Sequence, residues 1–407
     1  MDMQAFSFFR DRDLGLTGIR IGVLVYVAVM FVPHTGAIRT LSLYLPLLLL
    51  LWRYLADGRW RALGQPILAI FTVWVLVHVP SVLYAPDLGY SVGEFHSSLL
   101  RALILALLIY EGFRDEVWLR LLFRWLGWLA LGLALVFSYH VISTLLVQGM
   151  WGIGIARYGH FRGFGEALVL LLPMAWWNAR EGEGWRKALF WGGTGVLLGL
   201  AFMTGSRGVL AGALIAFGLL MLVDRGRAAW LALTVSLALG ALLFWFVFDP
   251  QVVIARLTTN SSGRMDSIWI PSIQALLRDA PWLGFGFGPS NFDELFREIL
   301  SRNPDWSHRA GLFGLHNQWL LIAVQTGLLG LAASVLLWGG QLWIQFRTAL
   351  LAGRAGALGG FVVLAALIGH YGVRGMIDTL GWIPLGLLVG MAAALEHRYA
   401  AGRDARR

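Results

Sequence analysis

The chain has 407 residues, of which 58% are hydrophobic and only 14% are charged. Because no long polar block interrupts this composition, a separate soluble domain is excluded, and residues 1–407 are predicted to form a single polytopic membrane domain. The formal net charge of +9 comes from basic loops and a basic tail, which indicates contact with anionic membrane lipids and no nucleic acid. The absence of cysteine excludes disulfides and thiolate metal sites.

Apolar runs of membrane-spanning length recur along the whole chain. They predict about twelve transmembrane helices, which would return both termini to the same side. The predicted spans are 18–33, 41–55, 66–84, 97–112, 125–147, 164–179, 188–205, 208–223, 228–248, 316–346, 355–372 and 377–397.

Basic residues are concentrated in the loops and tails on one side of these spans. The positive-inside rule places that side, with both termini, in the cytoplasm. Its basic residues are Arg10, Arg12, Arg53, Arg59, Arg61, Arg114, Arg120, Arg124, Arg180, Arg186, Lys187, Arg225, Arg227, Arg347, Arg354, Arg398, Arg403, Arg406 and Arg407. The opposite face has short predicted loops at 34–40 and 85–96 and one much longer segment.

The long outer segment covers residues 249–315, between predicted spans nine and ten. Apolar residues at helical spacing predict one amphipathic helix over about 263–278 and a second one that begins at Ser290. The glycine-rich run 284–289 between them is a turn that is too short for a dinucleotide fingerprint and follows no strand. We expect the apolar faces of both helices to pack on the span tops or at the membrane interface.

Two arginines stand where a helix begins. Ser206 is a predicted N-cap, Arg207 opens the eighth span, and Arg264 has the same position in the first amphipathic helix. A helix N-terminus disfavours a cation by up to about 1 kcal/mol, which a bound anion would offset. Guanidinium and backbone N–H groups together suit phosphate. The alternative is a solvated arginine, or one paired with Glu166 or Asp266.

His316, followed by Asn317, stands at the outer end of the tenth span. Its ordinary pKa of about 6.5 suits proton transfer at neutral pH, although a single histidine at a helix end is also a common structural feature. A second outer polar cluster contains His370, Arg374 and Asp378, of which the last two have the spacing of an ion pair on a helix.

No pattern in the sequence indicates a metal or a cofactor. Closely spaced histidine pairs and outer Asp-x-Asp pairs are absent. The nucleophile elbow, the P-loop and the Walker lysine are also absent. The sequence therefore predicts neither kind of site.

The order of these polar motifs resembles that of the O-antigen ligase and polymerase superfamily. Each motif alone is weak, whereas the ordered set is specific and covers residues 155–345. After His160–Gly165 the chain has Glu166, where relatives often continue with Asn-Pro. The motifs are Thr204-Gly205-Ser206-Arg207-Gly208, Gly263-Arg264, the run from Gly284 to Phe292, His316-Asn317 with Leu320, and Gln325-Thr326-Gly327-Leu328-Leu329-Gly330.

The resemblance implies an all-α membrane enzyme of the bacterial inner membrane that is GT-C-like, with about twelve transmembrane helices and one helical periplasmic loop. It implies transfer of a glycan from undecaprenyl pyrophosphate to a hydroxyl of lipid A–core at the periplasmic face, without a cofactor or an obligatory metal. Arg207 and Arg264 would hold the pyrophosphate, and His316 would act as general base in an inverting displacement. The residues expected to contact substrates are Ser206, Asn317, Arg162, His370 and Arg374.

Three other functions compete with the ligase. An O-antigen or exopolysaccharide polymerase shares both the long outer loop and the span count, and the compact set of spans favours the ligase. A transporter or flippase would also have many spans with intramembrane Arg and His. However, the polar residues cluster at one face, and no span shows a break in its pattern. A structural scaffold would leave Arg207 and Arg264 unexplained.

Overall fold

The computed structural model describes the chain in segments, within which all regular structure is helical, as the predicted fold class requires. The described residues are 14–32, 34–57, 64–148, 159–203, 207–223, 226–227, 230–231, 234–235, 238, 269–291, 297–298, 301, 318–351, 353–371 and 382–404.

Fourteen α-helices of five residues or more follow one another in these segments, and a π-helical segment at His96–Leu100 joins two of them. They are α1 (Leu14–Val29), α2 (Gly36–Asp57), α3 (Pro66–Val77), α4 (Val79–Leu83), α5 (Leu88–Phe95), α6 (Arg101–Phe113), α7 (Glu116–Gln148), α8 (Gly159–Glu181), α9 (Gly184–Met203), α10 (Arg207–Val223), α11 (Ile270–Asp279), α12 (Gln318–Leu351), α13 (Gly353–Tyr371) and α14 (Trp382–Asp404).

Helices overlap the predicted spans with shifted ends, and the ninth span lies largely outside the described residues, so the count of twelve spans stays a prediction. Five helical stretches have the length and composition to cross a membrane, so the chain is an integral membrane protein. Three shorter apolar helices accompany them within the described parts. The five stretches are Gly36–Ala56, Pro66–Leu83, Leu88–Phe113, Glu116–Tyr139 and Gln318–Thr348.

Two predicted outer loops are shorter than expected. The segment 34–40 is already helical from Gly36, and α5 occupies most of 85–96. Asp87 caps α5, because its side chain accepts a hydrogen bond from the backbone N–H of Tyr90 at 2.9 Å. This cap starts the helix well before the apolar run begins.

Contacts between α8, α7 and α13 show how the helices run relative to one another. Gly369, near the end of α13, lies against Val169 in the first half of α8. Gly359, near the start of α13, approaches Phe123, whose carbonyl accepts a hydrogen bond from Asn178 near the end of α8. The two helices α8 and α13 are therefore antiparallel. Because α10 follows α9 after three intervening residues, it starts at the same end of the bundle as α8.

The remaining helices fit the same two ends. Trp74 of α3 donates to the hydroxyl of Ser334 at 2.8 Å, and Ile70 lies against Gly340, so α3 and α12 are antiparallel. Gly386 of α14 packs against Ala102 of α6, and Gly390, one turn later, packs against Ala106, so these two helices are parallel. Residues 382–395 of α14 are buried all round, which places this helix in the centre of the bundle.

The bundle thus has two distinct ends. We call the end that holds the starts of α8, α10 and α12 and the end of α13 the turn end. We call the opposite end, where α6 ends and α7 begins, the ion-pair end. Arg114, Arg120 and Arg398, which belong to the predicted cytoplasmic loops, all lie at the ion-pair end.

Candidate active site at the turn end of the bundle

Three helices that carry predicted site residues cross closely near the turn end. Gly212 of α10 and Gly369 of α13 pack backbone against backbone, and a Cβ on either one would lie 3.3 Å from Cγ1 of Val169 in α8. A Cβ on Gly369 would also lie 2.8 Å from the carbonyl oxygen of Gly212. Glycine is required at this crossing because any side chain would push the helices apart.

This crossing brings predicted site residues to one end of the bundle. Arg207 is five residues before Gly212, and Arg162 is seven residues before Val169. At about 1.5 Å per residue, these positions lie roughly 7 and 10 Å from the crossing toward the turn end. His370 directly follows Gly369. The structure describes the helical backbone of Arg162 and Arg207, and their side chains lie outside the described residues.

His370 is buried, with only 3% of its surface exposed. We expected it in an outer polar cluster with Arg374, but it lies inside the bundle in the last turn of α13. The remaining predicted site residues, namely Ser206, Arg264, His316, Asn317 and Arg374, are outside the described part of the chain. Their positions along the chain place His316 and Asn317 directly before Gln318, the first residue of α12.

A glycine-rich turn after α11 is fixed firmly to this end. Gly284, Gly286 and Gly288 have φ values of 71°, 108° and 111°, which other residues rarely adopt. A Cβ on Gly286 would lie 2.7 Å from that of Ala85, and one on Gly288 would lie 2.6 Å from the ring of Tyr90. Both the backbone conformation and the close approach to α4 and α5 therefore require glycine.

The same turn fills a break in α12. Gly327 has φ 66° and ψ −167°, which interrupts the helix nine residues after Gln318. The interruption frees the carbonyl of Val324, which accepts from the N–H of Phe285 at 2.8 Å. It also frees the N–H of Leu328, which donates to the carbonyl of Pro281 at 2.8 Å. We had expected no broken span, and this expectation was wrong for α12.

The other side of the turn is bonded to α4 and α5. The hydroxyl of Ser81 donates to the carbonyl of Leu283 at 2.8 Å, and the N–H of Phe287 donates to the carbonyl of Ser81 at 3.2 Å. The side chain of Asn291 donates to the hydroxyl of Ser91 at 2.8 Å. The turn therefore joins α11, α4, α5 and α12 into one frame.

Gln318 is a polar residue of this end that the sequence did not single out. It is buried, with 3% exposed, and neither its amide nitrogen nor its amide oxygen has a hydrogen-bond partner among the described residues. A buried amide without a partner costs about 1–3 kcal/mol, so such groups often face a ligand. Its sequence signal, one glutamine at a helix start, was too common to be informative.

Two comparisons with known proteins show what the chain is similar to. Residues 192–335 match the family described as O-Antigen ligase. The chain is also 26% identical over 347 residues to the O-antigen ligase of Salmonella typhimurium strain LT2, a match that covers 79% of this chain and 81% of that protein. These matches support the resemblance to the O-antigen ligase family that the sequence motifs showed, and with it a glycosyltransferase-type enzyme.

The family match begins in α9 and ends in α12, so it includes Arg207, Arg264 and His316. It also includes the glycine turn and the break at Gly327, which pack on each other in the structure. The run from Gly284 to Phe292 and the run from Gln325 to Gly330 are two of the motifs that resemble the O-antigen ligase family, and they contact each other in the structure. Their glycines therefore have a structural role, because they allow this close contact.

The described residues offer no obvious place for a metal. No group of three His, Asp or Glu side chains with metal-binding geometry occurs among them. Arg278 of α11 is also an unsuitable phosphate ligand, because it donates to both carboxylate oxygens of Asp279 at 2.7 and 2.6 Å. These bonds raise the pKa of Arg278.

Proposed function

We propose that the protein is an O-antigen ligase, which transfers polysaccharide from undecaprenyl pyrophosphate to a hydroxyl of lipid A–core. The observation that carries the proposal is the convergence of the Arg162, Arg207 and His370 positions at the turn end, where α12 also begins. Similarity to the O-antigen ligase family and to the Salmonella typhimurium protein supports the reaction class. The rigid glycine turn supports a preorganised site at this end.

Arg207 and Arg264 hold the donor pyrophosphate in this proposal. Arg207 is the first residue of α10, where backbone N–H groups also point toward an anion. As the glycosidic bond breaks, negative charge grows on the departing pyrophosphate, and cations fixed in advance stabilise it. Two arginines supply the charge that a divalent ion supplies in many other transferases. Ser206, Arg162 and Arg374 complete the contacts to the donor.

His316 is the proposed general base. Its neutral imidazole takes the proton from the acceptor hydroxyl while the hydroxyl oxygen forms a bond to the anomeric carbon. The bond from that carbon to the pyrophosphate oxygen breaks in the same displacement, so the configuration inverts and undecaprenyl pyrophosphate leaves. Asn317 and Gln318 lie on either side of the helix start and hydrogen-bond sugar hydroxyls, while His370 lines the buried side of the site.

We further propose that the turn end faces the periplasm and that the chain crosses the inner membrane twelve times, with both termini in the cytoplasm. The arginine-rich ion-pair end supports this orientation through the positive-inside rule. The segment 249–315 is then a periplasmic loop between spans nine and ten, and α11 is one of its two amphipathic helices.

Polymerase activity is the second candidate, because chain extension would use the same donor site with a different acceptor. The structure argues against transport, because the protein's own glycine turn fills the break in α12. A transporter needs such a break to line a substrate pathway.

The experiment that tests the proposal supplies purified lipid-linked glycan to the protein in vesicles, with and without lipid A–core. A ligase gives glycosylated lipid A–core only when the acceptor is present, and activity persists in EDTA. A longer lipid-linked chain made without acceptor would assign the protein as a polymerase. Loss of activity in EDTA that magnesium restores would contradict the assignment of Arg207 and Arg264 to the pyrophosphate.

A further inference from the structure

The break at Gly327 separates two parts of α12 that have different surroundings. Before the break, residues 320–326 are all buried, so protein encloses the helix. After the break, Leu329, Leu336 and Trp343 recur at every seventh position on one face and are 47%, 70% and 64% exposed. Large exposed apolar side chains in one stripe of a membrane-spanning helix contact acyl chains. The lipid-facing surface of α12 therefore begins at the break.

The length of this lipid-facing part matches the bilayer. After Gly327, the next charged residue of α12 is Arg347, which is exposed. The twenty positions from 328 to 347 span about 30 Å at 1.5 Å per residue, which is the thickness of the hydrocarbon layer. The antiparallel apolar stretch Pro66–Leu83 ends at the same level, because the hydroxyl of Ser81 donates to the carbonyl of Leu283 in the glycine turn. The hydrocarbon surface at the turn end therefore lies near the glycine turn.

The helix α11, which directly precedes the glycine turn, has one buried face and one exposed apolar face. Ser272, Ala275 and Leu276 are buried, and α12 is a neighbour of this helix. Ile273 and Leu277 lie one turn apart on a different face and are 42% and 56% exposed. The bundle therefore takes up only part of the apolar surface of α11.

The third face of α11 is polar. Gln274 and Arg278 lie one turn apart and are exposed, and Arg278 is bonded to the carboxylate of Asp279. Since successive residues are about 100° apart, the buried, apolar and polar faces point in directions roughly 90–140° apart. A helix at a membrane surface needs such an arrangement, because it must meet protein, hydrocarbon and water on different sides.

Trp282 connects α11 with the lipid-facing stripe of α12. Its carbonyl accepts a hydrogen bond from the N–H of Leu329, the first residue of that stripe, at 3.4 Å. Trp282 is 63% exposed, and tryptophan is favoured at the boundary between hydrocarbon and head groups. The exposed apolar residues at this end of α11 thus continue a surface that faces lipid.

We propose that α11 is an interfacial helix that lies in the membrane leaflet at the turn end. Ile273, Leu277 and Trp282 contact the acyl chains of that leaflet, while Gln274 and Arg278 face head groups and water. The partner of the apolar face is therefore membrane lipid.

This position sets the depth of the start of α12. With the hydrocarbon surface at the break, Gln318 and the residues before it lie outside the hydrocarbon, at a level that phosphates and sugars can reach. The frame formed by α11 and the glycine turn fixes α12 at that depth. The membrane position of α11 itself does not depend on the proposed transfer reaction.

Spin labels on single cysteines test the proposal, because the natural chain has no cysteine. Ile273→Cys and Leu277→Cys place the label on the apolar face, and Gln274→Cys is the matched control on the polar face. Each full-length variant is labelled in lipid vesicles. Collisions are then measured with oxygen, which concentrates in hydrocarbon, and with a water-soluble nickel chelate. All three positions are exposed, so the variants should unfold at the same temperature as the wild type.

We expect the ratio of oxygen to nickel collisions to be several-fold higher for the labels at 273 and 277 than for the label at 274. Equal nickel access at 277 and 274 would show that the apolar face meets water, and would overturn the proposal. Exclusion of both reagents at 273 and 277 would also overturn it, because another part of this chain or a second copy would then cover the face.

The depth of the break is measured with two further labels. Leu336→Cys lies near the middle of the lipid-facing stripe, and Leu329→Cys lies at its start. The label at 336 should have the highest ratio of oxygen to nickel collisions, and the labels at 329 and 277 should have lower and similar ratios. A label at 329 that lies as deep as the label at 336 would contradict a hydrocarbon surface at Gly327.

Discussion

The charged side chains at the two ends of the bundle differ in their partners. At the ion-pair end, Glu111 accepts a hydrogen bond from Tyr54 at 2.7 Å and lies 3.6 Å from Arg114. Glu116 pairs with both Arg120 and Arg398. At the turn end, by contrast, the Nε atoms of Arg39 and Arg101 and the amide of Gln318 have no hydrogen-bond partner among the described residues.

This difference indicates that the two ends have different roles. Paired charges at the ion-pair end satisfy one another, although the buried amides of Gln341 and Gln345 toward that end also lack partners among the described residues. Unsatisfied donors at the turn end cost stability unless a ligand meets them. The glycine turn at this end fixes the break in α12 against α4. Substrate binding is therefore expected at the turn end.

The largest loss of transfer activity is expected from conservative changes of the two proposed phosphate ligands at the turn end. Arg207→Lys and Arg264→Lys keep the charge but lose the planar fork that contacts two phosphate oxygens. Each should reduce transfer by about tenfold or more. Transfer of glycan to lipid A–core is measured in vesicles at matched protein levels. Arg120→Lys, at the ion-pair end, is the control and should keep normal transfer, and equal activity of all three variants would refute the pyrophosphate assignment.

A substitution in the glycine turn should reduce transfer activity nearly as much. Gly284→Ala places a side chain at φ 71° against the backbone of Gln325, which we expect to cost roughly 1–3 kcal/mol and to displace the start of α12. Thermal unfolding should shift down by a few degrees, and transfer should fall more than the folded fraction does. Gly192→Ala in α9, where a Cβ meets nothing within 4 Å, should change neither quantity. If both alanine variants behaved alike, the turn would not position the site.

Two glutamines of the same helix offer a matched test of the two ends. Gln318 and Gln341 are both buried in α12, and the side-chain amides of both lack a hydrogen-bond partner among the described residues. Only Gln318 lies at the turn end. Gln318→Ala should lower transfer by about two- to tenfold through the loss of a hydrogen bond to substrate. Gln341→Ala should leave the turnover of folded protein unchanged, and a reversed result would place the substrate elsewhere.

The smallest effect is expected at the ion-pair end. Glu116→Gln removes the charge that pairs with Arg120 and Arg398, whose side chains are 44% and 32% exposed. Such solvent-screened pairs contribute about 0–1 kcal/mol, so the unfolding temperature should fall only slightly. Transfer per folded molecule should not change. A large loss of transfer at normal stability would show that the ion-pair end takes part in the reaction.

Hydropathy predicted the helical elements well, because the length of an apolar run follows from the thickness of the bilayer, whereas the topology that charge predicts stays a prediction. The same pattern could not show the break at Gly327, since Gln325–Gly330 remains apolar enough to continue a helix. That break is stabilised by residues 281–285, more than thirty positions earlier in the chain. Local sequence carries no information on such a pairing.

The site was predicted only in part for a similar reason. Arg207 at a helix start was readable from the Ser206-Arg207 pattern, and the structure confirms that α10 begins there. The burial of His370 and the unused amide of Gln318 depend on which helices surround them, which the linear pattern does not contain. The roles of Arg264 and His316 stay predictions, because both residues lie outside the described segments.

The most direct test of the account separates turnover from donor binding in His316→Ala. Because Arg207 and Arg264 hold the pyrophosphate, this variant should bind lipid-linked donor normally and yet lose transfer by a factor of about 10²–10⁴. In the wild type, transfer should rise with pH through about 6.5, since only the neutral imidazole accepts a proton. Normal turnover in His316→Ala, or a loss explained entirely by weaker donor binding, would contradict the claim that His316 is the base at the turn end.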